Sequence, residues 1–309
     1  MRGYIGVTDG EWANFLNVSG CAEVNFWIPS NRPFKALKVG EPFLFKSKYP
    51  DNRLIGGGFF EHATSLRCSE AWNCLGSGNG VPDMRALVRK VNDYRDEPVH
   101  DPDPIIGCII LNDVTFFSSD SCPPGPASFA KNVVSGKGYT LPSEDTEVEA
   151  AFRLLAMAQA ADAAPIDYFH PDTTAEMFGD ARLVRPRLGQ GGFRASILDA
   201  YGRRCAITGH KITPTLQAAH IRPVSEGGQH RVDNGLLLRS DVHTMFDLGF
   251  LTVDPNFALR VSPSLRDEFG NGEEFYQREG RVIALPTGSQ QQPNREFLEW
   301  HGAEVFRAS

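Results

Sequence analysis

Four side chains in the last third of the chain, His220, Asn234, His243 and Asp247, combine types and spacings that suit hydrolytic chemistry. The His, Asn and His stand 14 and then 9 positions apart, and Asp247 follows four residues later. An imidazole that is neutral near pH 7 takes a proton from water. A His and a carboxylate four residues apart on a helix lie on one face, where they can share one divalent cation. Breaking a phosphodiester needs both parts: a deprotonated water, and a cation that stabilises charge on the phosphorane-like oxygens and the leaving 3′ oxygen.

Leu216–Ile221 is short, largely apolar and followed by Pro223, so the sequence predicts a strand that ends at His220 and runs into a loop. The segment SEGGQ supplies glycines for a reversal, and Val232–Arg239 reads as a second extended run. Ser240 then reads as the N-cap of a helix, with Asp241 at its positive end and Gly249 as its stop. Taken singly, each residue has a plain structural reading: His220 a core histidine, Asn234 a turn residue, His243 and Asp247 a solvated helix face. The spacing of all four within one strand–loop–strand–helix unit argues against that reading.

This segment, LQAAHIRPVSEGGQHRVDNGLLLRSDVHTMFD, resembles the HNH (ββα-metal) nuclease motif. The resemblance implies that His220 is the general base, Asn234 the middle Asn that braces the long loop, and His243 a metal ligand. It puts Asp247 where colicin-type HNH nucleases place one more ligand. One position departs from the pattern: the residue before the base, usually an Asp or His ligand, is Ala219. Gln217, on the same strand face by period two, or extra waters and phosphate oxygens would fill the gap. One Mg²⁺ or Mn²⁺ per site is the expected cofactor. CAITG at Cys205 is similar to the first half of the zinc knuckle of many HNH proteins, but Thr208 replaces the second Cys and no later CxxC follows, so no structural zinc is expected.

With 309 residues and 41% hydrophobic content, the chain is long enough for two domains with proper cores. The N-terminus has no apolar h-region and no run approaches a membrane span, so a cytoplasmic protein without membrane association is expected. Six dispersed cysteines form no framework and read as reduced, mostly buried thiols. The net charge of −7 argues against a general polyanion binder, yet the charge is unevenly spread. Nine acids against one Arg lie between Leu141 and Asp180, and nine bases against three acids between Arg185 and Arg239. The basic block coincides with the HNH-like segment, as phosphate contacts require, with Arg222 and Arg239 as candidates.

The N-terminal half reads as short strands at Tyr4–Thr8, Val24–Ile28, Pro42–Lys46 and around Gly56–Gly58, then a helix at Met84–Tyr94 and a buried strand from Pro104. Dense in aromatics and glycines, it fits a small open barrel. The phrases GVTDGEW, VNFWIPS, FKALKVGEPFLFK, IGGGFF and NVVSGKGYTL, in that order, resemble the PUA-like superfamily, in particular the reader half of bacterial PUA- or EVE-HNH restriction enzymes. The resemblance implies a domain that flips a modified base and stacks it between aromatic rings. Trp12 and Trp27 are the candidate walls, with Trp72 a weaker third; Asp9 and Asn25 are candidates for the polar edge. Each tryptophan is equally readable as barrel core, and Asp9 as a helix N-cap.

The expectation is thus an α+β chain: a PUA/EVE-like reader at 1–164 closed by a helix at Glu147–Ala163, a linker at 165–192, and an HNH domain with a C-terminal extension at 193–309. In the latter, Phe193–Tyr201 reads as a helix, FLTVDPNFALRVS as a hairpin, and REFLEWHGAEVF as a helix whose Phe297, Trp300 and Phe306 cap the core or pair protomers. The implied function is a modification-dependent DNA endonuclease that acts near 5-methyl- or 5-hydroxymethylcytosine in double-stranded DNA. A double-strand break would then call for a homodimer or two binding events. A modified-DNA-binding module with a decayed nuclease, and an RNA-directed HNH nuclease, are the alternatives.

Overall fold

The computed structural model describes residues 1–95, 101–118, 122–163 and 189–308, apart from the side chains of 160–163. The chain divides into two compact units, Met1–Pro186 and Arg187–Ser309. The expected linker falls largely outside the described residues.

The N-terminal unit carries β1 (Arg2–Thr8), α1 (Gly10–Ser19), β2 (Val24–Asn25), β3 (Pro42–Ser47), β4 (Leu54–Arg67), α2 (Cys68–Leu75), α3 (Met84–Arg95), β5 (Ile105–Phe116), β6 (Gly136–Thr140) and α4 (Thr146–Ala163). The strands form one six-stranded sheet in the order β2-β5-β4-β3-β1-β6, with β1 and β3 parallel. Both sheet faces are covered, so β3 reads as a continuous apolar run rather than an alternation. Phe43 and Phe45 join Trp12 and Leu16 of α1, and Leu44 joins Val148, Phe152 and Leu155 of α4. Burying each such side chain stabilises by roughly 1.5–3 kcal/mol. The glycines of β4 answer to close approach: a Cβ on Gly56 would stand 2.4 Å from the Thr115 carbonyl oxygen, and β4 slips register against β5 next to them.

The C-terminal unit carries α5 (Gln190–Ala200), β7 (Leu216–His220), β8 (Gly235–Arg239), α6 (Ser240–Asp247), β9 (Leu251–Val253), β10 (Leu259–Val261), α7 (Ser264–Phe269), α8 (Glu273–Tyr276) and α9 (Arg295–Glu304). β7 and β8 form one antiparallel pair, β9 and β10 another. Phe193 and Ile197 of α5, Leu236–Leu238 of β8 and Val242 and Phe246 of α6 are buried around the first pair. α9 closes the core through Leu298 and His301, whereas Phe297, Trp300 and Phe306, the residues expected to cap it or to pair protomers, are only partly buried.

Three local expectations change. α5 starts at Gln190, inside the tract expected to be linker, because Gly191 and Gly192 are buried in its first turn. The second extended run is shorter than Val232–Arg239: Val232–Asn234 forms a 3₁₀ turn and the strand starts at Gly235. The N-cap of α6 is Arg239, without a side-chain cap bond, and Ser240 is already helical. Gly249 does stop the helix in the left-handed region, φ 78°, and a Cβ there would meet the Val305 carbonyl oxygen at 2.1 Å.

Candidate active site

β7 pairs with β8 so that His220 lies opposite Gly235 and Gln217 opposite Leu238. The loop between them is tied by Asn234, which is fully buried. Its Nδ2 donates to the Arg222 and Gln229 carbonyls, both at 2.9 Å, and its Oδ1 accepts from the Arg222 amide at 2.9 Å. The Ile221 amide donates to the Asn234 carbonyl at 3.0 Å. The loop also folds tightly at Gly228, where a Cβ would fall 1.9 Å from the Arg222 oxygen. Asn234 therefore acts on the loop's shape and on the end of β7.

His220 is half-buried between α5 and this loop. Its ring stacks on Phe193 with centroids 4.2 Å apart and planes at 11°. Gly235 makes the room, since a Cβ there would stand 2.8 Å from the Phe193 ring. His220 Nε2 is 3.0 Å from His230 Nδ1. No other hydrogen bond to the ring is found among the described residues. Burial lowers the His220 pKa to about 4, with smaller contributions from His230 and His243. The imidazole is therefore neutral at physiological pH, as a proton acceptor must be.

His243 and Asp247 share one face of α6, with Nε2 and Oδ2 3.3 Å apart. His243 Nδ1 is 2.8 Å from Gln217 Oε1. An amide oxygen only accepts, so His243 carries a proton on Nδ1 and turns Nε2 toward the carboxylate. A proton or a metal cation between Nε2 and Oδ2 would satisfy both. Adjacent ligands around one divalent ion, with bonds of about 2.1–2.3 Å, lie roughly 3 Å apart, so the pair fits such an ion. Gln217 is engaged with His243 and orients it. Ala219 is fully buried and offers no donor. Among the described residues no group of three His, Cys, Asp or Glu side chains comes together as a metal site.

His220, His243 and Asp247 line one cleft of about 340 Å³, together with Ile221, Pro223, Val224, His301 and Val305. His301 is 2% exposed, stacks on Phe246 at 3.7 Å and bonds Thr252 Oγ1 at 2.8 Å. The guanidinium of Arg222 lies 5.3 Å over the Trp300 ring and donates to the Glu226 carbonyl at 2.6 Å. Arg239 is bidentate to Asp241, at 2.6 and 2.8 Å, and lies 3.5 Å from Glu274, so two carboxylates offset its charge. Arg203 and Arg231 are likewise paired, with Asp199 and Asp233. Arg204 and Lys211 are exposed. The buried Cys205 Sγ accepts from the Thr208 and Arg239 amides at 3.4 and 3.3 Å, a structural use of the half-knuckle.

The base-pocket candidates of the N-terminal unit separate. Trp12 is 3% exposed and packs edge-on against Phe26 and Phe45, which makes it core and corrects the expectation of a pocket wall. Asn25 is fully buried; its Nδ2 donates to Asn79 and Cys108, and its Oδ1 has no hydrogen-bond partner among the described residues. Asp9 caps α1 through the Trp12 amide at 2.7 Å and also takes Lys90 at 3.2 Å and Tyr94 at 2.9 Å. Trp27 is half-buried, edge-on to Tyr94 at 5.9 Å, with Nε1 on the Asn79 carbonyl. His230, Phe193, Lys90 and Tyr94 were not legible in advance: a lone His in a Gly-rich loop, or a polar side chain on a helix, carries no spacing signal.

Residues 205–254 match a family model described as HNH endonuclease. No curated protein matches the chain. Among solved structures, the ASCH protein of Zymomonas mobilis is 12% identical, covering 50% of this chain and 94% of its own, with a TM-score of 0.33. A structure named modification dependent TagI restriction endonuclease is 12% identical over 86% of this chain, which spans 62% of its length, with a TM-score of 0.27. With its two paired strands and following helix inside the matched segment, the C-terminal unit carries an HNH endonuclease domain.

Proposed function

We propose that the protein is a modification-dependent DNA endonuclease in which His220 is the general base. The observation that carries this reading is the cleft in which a neutral imidazole, His220, is set beside the His243–Asp247 pair. His243 and Asp247 would hold one divalent cation, Mg²⁺ or Mn²⁺. When bound, that ion supplies charge stabilisation for the phosphate and the leaving oxygen. His220 removes the proton of the attacking water, Gln217 sets the tautomer of His243, and Asn234 holds the loop that carries the base to its place. Arg222 is the nearer candidate for a phosphate contact, because Arg239 is already matched by two carboxylates.

The N-terminal unit is proposed to read a modified cytosine, 5-methyl- or 5-hydroxymethyl-, in double-stranded DNA, with Trp27 as the stacking surface and the Asp9–Tyr94–Lys90 cluster beside it. This part rests on the sequence resemblance and on the partial exposure of Trp27. A homodimer would place two such sites on two strands. The test is nicking of supercoiled plasmids carrying cytosine, 5-methylcytosine or 5-hydroxymethylcytosine, with Mg²⁺, Mn²⁺ or chelator. Metal-dependent cutting of a modified plasmid, absent in His220→Ala, is expected. Equal cutting of all three plasmids removes the reader half of the proposal, and full activity of His220→Ala removes the base.

A further inference from the structure

His230 stands outside the His–Asn–His spacing, in the loop between β7 and β8, yet it is the one side chain hydrogen-bonded to His220 among the described residues, Nδ1 to Nε2 at 3.0 Å. The contact is built from both sides. Asn234 Nδ2 and the Arg231 amide both donate to the carbonyl of the preceding residue, Gln229, at 2.9 and 2.8 Å. The two imidazoles lie 4.9 Å apart at 59°, and Phe193 packs against each. The buried Asn234 thus fixes the backbone next to His230, and His230 in turn meets the base.

The bond has two possible polarities, and they differ in consequence. If His230 donated from Nδ1, the neutral His220 would carry its own proton on Nδ1 and have no lone pair left for water. If His220 donates from Nε2, its Nδ1 is bare and can accept. Only the second arrangement is compatible with the base assigned above.

We infer that His230 is a positioning residue: it accepts the Nε2–H of His220, locks the tautomer that bares Nδ1, and steadies the imidazolium formed during cleavage. This inference rests on the reading of His220 as the base. In the step concerned, a water proton passes to His220 Nδ1, the oxygen's electron pair attacks phosphorus, and the 3′ oxygen departs with the pair of the broken P–O bond. The Nε2–H bond to His230 becomes charge-assisted as the ring gains its proton, so it is stronger in the transition state than before it. His243 is the other titratable group acting on His220, and it stays in place in every variant used to test His230.

The experiment uses the full chain, with steady-state hydrolysis of bis(p-nitrophenyl) phosphate in Mn²⁺ and single-turnover nicking of a 5-hydroxymethylcytosine plasmid, each from about pH 3 to pH 9, so that the acid limb set by a His220 pKa of about 4 falls inside the range. Wild type, His230→Ala, His230→Asn and His220→Ala are compared, with thermal melts to verify folding. His230→Ala is expected to lower kcat by about 10- to 100-fold, the usual effect of losing a partner that orients a functional histidine, with KM unchanged. The acid limb of its rate profile moves to lower pH, because loss of the acceptor for the imidazolium outweighs relief of the small like-charge contribution of His230. His230→Asn recovers most of the rate, since its Oδ1 sits where Nδ1 was and can only accept. A like-charge neighbour would do the reverse on removal and move the limb to higher pH. That shift, wild-type kinetics in His230→Ala, or no rescue by Asn, overturns the inference while an inactive His220→Ala leaves the base assigned. Activity in His220→Ala instead sinks the base reading itself. Independently of turnover, ¹⁵N-edited NMR of wild type should find His220 protonated at Nε2; a proton on Nδ1 refutes the proposal.

Discussion

Replacing Asn234 with Ala removes three hydrogen bonds at one buried point: two donated to the Arg222 and Gln229 carbonyls and one accepted from the Arg222 amide. Each such bond is worth about 1 kcal/mol net, and a backbone group left buried without a partner costs about 1–3 kcal/mol. The Asn side chain is fully enclosed, but its partners are only partly buried, so water reaches some of the orphaned groups. The expected loss is then roughly 3–5 kcal/mol, a large part of the roughly 5–15 kcal/mol that holds a domain together. Urea denaturation of the full chain, followed by tyrosine and tryptophan fluorescence, should show the C-terminal transition moving to lower urea. Hydrogen exchange should localise the gain in opening to 221–233. Asn234→Asp sharpens the test, because a carboxylate keeps the acceptor for the Arg222 amide but faces two carbonyl oxygens with negative charge. Its folded-state pKa is therefore raised, and any stability it recovers is present at low pH and lost as pH rises through that value. A loss below about 1 kcal/mol for Asn234→Ala, or an Asp variant no worse at pH 7 than at pH 5, would refute the idea that this side chain holds the loop.

Gln217→Ala frees His243 Nδ1, and the divalent-ion concentration for half-maximal cleavage is expected to rise about 10- to 100-fold, read by titrating Mn²⁺ in the nicking assay. Burial holds the His220 pKa at about 4, so with Mn²⁺ kept saturating at every pH cleavage should stay level from pH 8 down to about pH 5 instead of falling near the usual imidazole value; a half-drop near pH 6.5 that added Mn²⁺ does not reverse contradicts the assignment. The same sign applies to stability at His301, whose pKa burial lowers to about 4: its neutral form is favoured by folding, so stability is complete above about pH 6.5 and falls towards pH 4, by on the order of 3 kcal/mol. His301→Leu should flatten that dependence in melts taken across the range. In the N-terminal unit, Trp12→Ala should cost about 3–5 kcal/mol of stability as a core truncation, whereas Trp27→Ala should leave melting nearly unchanged and reduce binding of modified DNA, measured by fluorescence anisotropy.

The sequence by itself placed the nuclease segment, because a strand–loop–strand–helix unit is local: its periodicity, its Gly and Pro punctuation and the spacing of His220, Asn234, His243 and Asp247 lie within a few dozen residues. It also placed α3, α4 and the β9–β10 hairpin within a residue or so of where they are, and the start of α9, which ends at Glu304 rather than at Phe306. What it left open concerned contacts between distant segments. Gln217 read as a substitute ligand until its oxygen proved to be on His243 Nδ1. His230 carried no spacing signal, and only the loop's closure, braced by Asn234, set it against the base. Trp12 and Trp27 are the same residue type beside similar neighbours, yet one is core and the other half-exposed, because α1 turns Trp12 onto Phe26 and Phe45. Local pattern determines which elements form and which chemistry they carry. Which side chains meet, and hence which nitrogen bears a proton and which ring is free to stack, is decided when segments far apart in sequence pack together and exclude water.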